Sequence, residues 1–146
     1  RCIMKYFTKQ WYKSNQKGLK KQNKNNVLAD YNEHYKKIEP QLSNSIKDIN
    51  MNNMHDGEIV NSGFYGKDFH LDINPINCYS SIKKIIFVNA EILNCDIDLK
   101  NACWLYEEVY IQQGNYEMHI LFWSKNGKIG KMAIAFSEAI CIKQND

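Results

Sequence analysis

The spacing of apolar residues changes near residue 55, and this change constrains the fold more than any other feature of the sequence. Before it, apolar side chains recur every three or four residues, as along residues 28–38. After it, they alternate with polar ones, as along residues 69–73. The first period is that of an amphipathic helix, and the second is that of a β-strand. The sequence therefore predicts one α+β domain, with a helical front at 1–54 and an antiparallel sheet at 55–146.

Local signals divide the front into two or three short helices. Thr8 is a suitable N-cap for a helix that reaches about Lys17. The polar tract at 22–26 is predicted to be a loop whose last residues cap a second helix. Because a proline disfavours helical geometry in the residue before it, this second helix should stop before Pro40, which then opens a third.

Turn signals divide the remainder into about six mostly antiparallel strands. A turn at 65–67 predicts a first hairpin, and Asn126-Gly127 is a strong signal for another, because both residues tolerate positive φ. Residues 82–93 form one long β-rich run. Residues 129–142 are predicted as one strand with a bulge at Ser137. We expect this sheet to curl toward a half-barrel or sandwich, with the helices packed on it.

The segment 104–111 is apolar or aromatic on both sides, so a second layer must cover it. Alternation assigns one side to Leu105, Val109 and Ile111, and the other to Trp104, Tyr106 and Tyr110. The N-terminal helices are the expected cover, and a partner subunit is the alternative.

Composition excludes several classes of protein. No stretch approaches the roughly 20 apolar residues that a membrane span needs. The N-terminus shows no secretory signal, and the five cysteines are odd in number and lack a Cys-x-x-Cys spacing. We therefore expect reduced thiols, a cytoplasmic location and no membrane. Neither a glycine-rich phosphate loop nor a nucleophile elbow is present, and we expect no cofactor.

Charge is distributed unevenly. Residues 1–54 carry a net charge of +7 and residues 55–146 a net charge of −4. Lysines recur on one helix face, at positions 9, 13, 17, 20 and 24. Such a stripe can follow a phosphate backbone, but the chain has a single arginine, which is the usual residue for bidentate phosphate contacts. A solvated helix face is the favoured interpretation, and nucleic-acid binding is an alternative.

Four residues are weak candidates for catalysis. His55-Asp56 invites comparison with metal-dependent phosphohydrolases named for a His-Asp doublet, but here the doublet precedes a strand, where a turn is the simpler interpretation. Glu107 and Glu108 lie in an aromatic setting that suits proton transfer. Because consecutive strand residues face opposite sides, these two acids cannot act as a pair.

Three residues are weak candidates for a metal site. His70 and Asp72 share one strand face, and His119 with Glu117 or Glu108 could approach them from a neighbouring strand. Two histidines and a carboxylate can bind zinc or iron when they converge. Nothing in the spacing shows convergence, so we expect no metal.

Four segments resemble an uncharacterised family from low-GC Gram-positive bacteria that is defined by a domain of unknown function. They are the opening M-K-Y-F-T-K-Q-W-Y at 4–12, H-D-G-E-I at 55–59, W-L-Y-E-E at 104–108 and E-M-H-I-L-F at 117–122. The resemblance implies helices followed by an antiparallel sheet in a bacterial protein. It brings no catalytic residues.

The leading functional hypothesis is a non-enzymatic protein-binding module, whose partner is another protein or a second copy. Tyr and Trp are enriched at interfaces, so the candidate contacts are Trp104, Tyr106, Tyr110 and Trp123. One version is an immunity-type inhibitor that blocks a toxin of the same bacterium. The alternatives are a small metal protein or hydrolase that uses the sheet histidines and carboxylates, and the nucleic-acid binder described above.

Overall fold

Three α-helices precede the sheet. The computed structural model describes residues 3–16, 21–76 and 78–145, without the side chains of residues 16 and 21–25. The helices are α1 (Lys9–Gln16), α2 (Lys21–Ile38) and α3 (Asn44–Met51), with a 3₁₀ turn at Glu39–Gln41. The predicted N-cap is confirmed, because the Trp11 amide donates a 3.1 Å hydrogen bond to Oγ1 of Thr8. The predicted end of this helix, Lys17, lies outside the described residues.

The predicted loop at 22–26 is wrong, because α2 runs through it. Asparagine costs only a few tenths of a kcal/mol in a helix, and burial of Tyr31 and Tyr35 further along stabilises the whole element. The helix does stop before Pro40, as predicted. The predicted start of a third helix at Pro40 is wrong. Pro40 is the second residue of the 3₁₀ turn, the chain is extended at Leu42, and α3 begins only at Asn44.

Eight strands form one antiparallel sheet. They are β1 (Glu58–Tyr65), β2 (Asp68–Asn74), β3 (Ile82–Val88), β4 (Glu91–Cys95), β5 (Cys103–Gln112), β6 (Asn115–Trp123), β7 (Ile129–Phe136) and β8 (Glu138–Lys143). Their order in the sheet is β4-β7-β6-β5-β1-β2-β3-β8. The predicted class, helices followed by an antiparallel sheet, is confirmed.

The predicted count of about six strands is wrong, because two long runs are each broken once. Asn89 adopts a φ of 50° between β3 and β4, and Ser137 separates β7 from β8. The two broken runs pair with each other, β3 with β8 and β4 with β7. The register is the same on both sides of the breaks, since Val88 opposes Glu138 and Glu91 opposes Ala135. The breaks place β4 and β8 at opposite ends of a sheet that is not closed. The curl toward a half-barrel or sandwich stays a prediction.

The helices cover one side of β5, as expected for a strand that is apolar on both sides. The ring of Trp11 on α1 lies 5.2 Å from that of Tyr106, and the ring of Phe7, just before α1, stacks on Tyr106 with centroids 4.9 Å apart. The predicted placement of Trp104 and Tyr106 on one side of β5 is wrong, because a bulge lies between them. Trp104 opposes Phe122, whereas Tyr106 opposes Leu121. Because residues 121 and 122 face opposite sides of β6, Trp104 and Tyr106 do as well. Trp104 is therefore in the core, with no exposed surface.

None of the helices within the described residues is both long enough and apolar enough to cross a membrane.

Candidate functional site

The edge of β5 that faces β1 is open over most of its length. Near Trp104 the two segments are joined, because its amide donates to the carbonyl of Gly57 and its carbonyl accepts from Asp56, both at 2.8 Å. The register pair that joins β1 to β5 is Glu58 with Cys103, and the other paired residues of β1 are paired with β2. Among the described residues, β5 therefore runs without a strand partner on this side beyond Trp104. The backbone groups that β5 presents at this edge must therefore find partners elsewhere.

Side chains from α2 and from the turn before β1 supply partners for some of these groups. The Val109 amide donates to the Tyr31 hydroxyl at 3.0 Å, and the Val109 carbonyl lies 2.9 Å from Nε2 of His34. The Leu105 carbonyl lies 2.8 Å from Nδ1 of His55. Because a carbonyl oxygen only accepts, the nitrogen that faces it must be protonated in each ring, which is Nε2 in His34 and Nδ1 in His55. These contacts fix the tautomer of His55, whose Nε2 is not the protonated nitrogen when the ring is neutral.

A cleft of about 360 Å³ lies at this open edge. Its lining combines apolar, aromatic and polar groups: Leu28, Asn50, Asn53, His55, Leu105, Tyr106 and Glu107. The rings of His55 and Tyr106 are 5.4 Å apart. The structure thus brings together two of the predicted catalytic candidates, His55 and Glu107, at one cleft. Its volume is within the range of small-molecule sites.

Glu107 is the unusual group of this cleft. Its Oε1 accepts a 3.1 Å hydrogen bond from the indole Nε1 of Trp104. Burial raises the pKa of Glu107 to about 7, and the hydrogen bond from Trp104 only partly opposes this rise. Among the described residues, no lysine or arginine forms an ion pair with it. Such a carboxyl can exchange a proton near neutral pH or pair with an incoming cation.

Glu108 holds the N-terminal segment on the sheet. Its carboxylate is fully buried and accepts hydrogen bonds from three consecutive amides, those of Lys5 (2.9 Å), Tyr6 (2.8 Å) and Phe7 (2.7 Å). The Tyr110 hydroxyl donates a fourth, at 2.6 Å. Burial and the adjacent carboxylate raise the pKa of Tyr110. With four donors on its oxygens, Glu108 is a structural anchor.

A second buried pair lies across from this anchor on β6. Nε2 of His119 is 2.9 Å from Oε2 of Glu117, and both side chains are almost fully buried. Residues Glu108 and His119 oppose each other across the two strands. The Nδ1 atom of His119 is buried without a hydrogen-bond partner in the described structure.

The predicted metal candidates do not converge. His70 and Asp72 are on β2, which is three strands away from the β6 strand of His119. Asp72 instead pairs with Lys84 at 3.3 Å. Within residues 3–16, 21–76 and 78–145, no three His, Cys, Asp or Glu side chains are grouped so that they could hold a metal ion.

His55-Asp56 lies in the turn before β1, as the simpler interpretation has it. Asp56 adopts a φ of 70°, and one of its carboxylate oxygens is 3.5 Å from Nε2 of His55. The positive φ is a left-handed conformation that aspartate tolerates better than most residues. The doublet therefore shapes the chain reversal that aims the His55 ring at β5.

Most of the predicted binding aromatics are internal. Trp104 is in the core, Tyr110 is 6% exposed, and Tyr106 is half-buried under Phe7. Only Trp123, which is 39% exposed at the end of β6, presents a large surface to solvent. The large exposed apolar side chains lie mostly elsewhere, and those on the first hairpin and the last strand are Val60, Phe64, Tyr65 and Ile140.

The lysine stripe is only partly within the described residues. Lys9 pairs with Asp96, and Lys13 is exposed. Lys17, Lys20 and the side chain of Lys24 lie outside the described set.

The cysteines at 78, 95, 103 and 141 are free thiols, as predicted, and burial raises the pKa of Cys141 to about 11.

Sequence reasoning missed His34, Asn50 and Asn53. His34 lies three residues after Tyr31 on α2, and this spacing could have placed it on the buried stripe. The two asparagines gave no comparable signal, because they lie in and after the last turn of α3, where asparagine is common.

The comparison with known families extends over most of the chain. Residues 4–129 match the family model described as "Protein of unknown function (DUF4085)". The chain belongs to this family. The match confirms the predicted membership in a family defined by a domain of unknown function, and the matched range includes every residue that lines the cleft. No curated protein and no solved structure matches this DUF4085 protein.

Proposed function

We propose that this DUF4085 protein is a non-enzymatic protein-binding module of the bacterial cytoplasm, and that the face it uses is the outer side of β1, β2, β3 and β8. Four residues oppose one another in register across these strands: Gly63, His70, Ile86 and Ile140. On β2 and β3, the neighbouring residues Leu71 and Ile85 are fully buried and point into the core. The in-register row is therefore the opposite, outward side of the half-sheet.

Apolar side chains on this outward side are exposed to solvent, and this observation carries the proposal. Ile140 is 47% exposed, and Tyr65 at the end of the first hairpin is 63% exposed. The Tyr65 ring lies 4.5 Å from that of His70, so aromatic and aliphatic groups continue across the strands. Exposed apolar groups that are contiguous on one face are characteristic of interaction sites.

The partner we propose for this face is a second copy of the chain. Beside the row, Asp72 and Lys84 neutralise each other at 3.3 Å. Two copies related by a two-fold axis would therefore bring together apolar rows without opposing like charges. If the chain is a monomer, the partner of this face is instead a different protein, such as a toxin bound by an immunity-type inhibitor.

Light scattering during size-exclusion chromatography tests the proposal. The wild-type chain should elute as a dimer at micromolar concentration, and Ile140→Lys should make it a monomer, because burying an unpaired ammonium at the interface is unfavourable. Met51→Lys is the control, because Met51 is 76% exposed on α3 and lies outside the row. A wild-type monomer, or equal behaviour of both variants, would overturn self-association through this face.

A further inference from the structure

The cleft at the open edge of β5 combines three kinds of group that one ligand class satisfies together. Glu107 supplies a carboxyl, Asn50 supplies a carboxamide, and Tyr106 supplies an aromatic ring. Leu28 and Leu105 add apolar surface beside them. We propose that this cleft binds a short-chain primary ammonium compound, whose head group pairs with Glu107 and whose carbon chain lies against the two leucines.

The charge balance of the cleft favours a cation. Glu107 has a neutral hydrogen-bond donor, the indole of Trp104, at 3.1 Å, and within the described residues it has no cationic partner. An ammonium group would supply the opposite charge that this carboxylate lacks, and charges removed from water in proteins are normally paired.

The remaining groups suit the same ligand. An ammonium donates three hydrogen bonds, and amide oxygens such as that of Asn50 are suitable acceptors beside the carboxylate. A volume of about 360 Å³ admits a head group with a chain of several carbons. A neutral alcohol of the same length would fill the space but leave the carboxylate unpaired.

The pKa of Glu107, which burial raises to about 7, gives the binding a direction in pH. Below this value the carboxyl is protonated, so a cation must displace its proton, and affinity should fall about tenfold per pH unit. The other titratable groups that face Glu107 are Tyr31 and Tyr35 from α2 and His55 beside it in the cleft. Both tyrosines stay neutral in this range, because burial raises their pKa values.

The Trp104 indole provides a reporter, because its N–H contacts Glu107. At pH 8, titration of the ¹⁵N-labelled full chain with n-butylammonium chloride should shift the Trp104 indole resonance saturably. n-Butanol should bind at least about tenfold more weakly, which corresponds to about 1.4 kcal/mol. No saturable shift with n-butylammonium, or equal affinities for the two probes, would overturn the proposal.

Variants separate the carboxylate from the shape of the cleft. Glu107→Gln keeps an oxygen for the indole but removes the charge, and it should lose at least about tenfold in affinity. Glu33→Gln is the matched control, because Glu33 is an exposed acid on α2, and it should bind as the wild type does. Should Glu107→Gln fail to fold, the wild-type pH profile remains decisive, since affinity that does not change between pH 6 and 8 contradicts pairing with Glu107.

Discussion

Glu107 and Glu108 are consecutive on β5, but their carboxyl groups have unrelated surroundings. The oxygens of Glu108 accept hydrogen bonds from three backbone amides and the Tyr110 hydroxyl. In the described part of the chain, the only side chain that donates to Oε1 of Glu107 is the Trp104 indole. Because the residues face opposite sides of the strand, one carboxyl meets the N-terminal segment and the other meets the core at the open edge. The same residue type therefore serves as an anchor in one position and lines a cleft in the next.

Replacement of Glu108 by glutamine should destabilise the protein by about 3 kcal/mol or more. The amide keeps one acceptor oxygen but turns an NH₂ group toward backbone donors, and hydrogen bonds to a charged group contribute about 1.5–3 kcal/mol each. Urea unfolding measures the loss. Hydrogen exchange should also show faster exchange of the amides of Lys5, Tyr6 and Phe7. Unchanged protection of these amides would contradict the role of Glu108 as their acceptor.

Glu107 should make stability depend on pH mainly between its unfolded pKa of 4.5 and its folded pKa of about 7. Its folded pKa of about 7 is raised above the unfolded value of 4.5, so its contribution is complete below pH 4.5 and is lost as pH rises through 7. Glu107→Gln mimics the protonated form. Relative to this variant, the wild type should lose about 2 kcal/mol between pH 5.5 and 8.5. Urea unfolding of both proteins at the two pH values measures this difference, and a constant difference would refute the raised pKa.

Loss of the helix cap at Thr8 should cost about 1 kcal/mol. In Thr8→Ala, the Trp11 amide loses the oxygen that it now reaches at 3.1 Å. Thr8→Ser retains a hydroxyl and should stay within about 0.5 kcal/mol of the wild type. Thermal unfolding of the three proteins compares them. Equal destabilisation by alanine and serine would show that the threonine methyl, and not its hydroxyl, is responsible.

Gly130 should not tolerate a side chain. A Cβ atom at this position would lie 2.4 Å from Cβ of Ile97, so Gly130→Ala forces the packed backbones apart and should cost about 1–3 kcal/mol. Gly63→Ala is the matched control on β1, because no atom lies within 4 Å of its added Cβ. We expect the control to stay within about 0.5 kcal/mol of the wild type. Chemical unfolding distinguishes the two variants, and similar stabilities would contradict the close approach at Gly130.

Much of the fold was predictable because its signals are local. The stripe that buries Tyr31 and Tyr35, the cap at Thr8 and the first hairpin all depend on residues close together in the chain. The breaks at Asn89 and Ser137 were not predictable as strand ends. They depend on which strand lies alongside, and Glu91 pairs with Ala135, more than forty residues away.

The sequence by itself determined the order of the elements and the family, because hydrophobic period and short motifs can be read along the chain. It also excluded a pairing of Glu107 with Glu108, since strand geometry alone separates them. Only the tertiary structure decided what each acid does. The cleft draws on Leu28, on the segment 50–55 and on β5, and the anchor joins residues about one hundred positions apart. Such contacts are set by how layers pack, which no local period records.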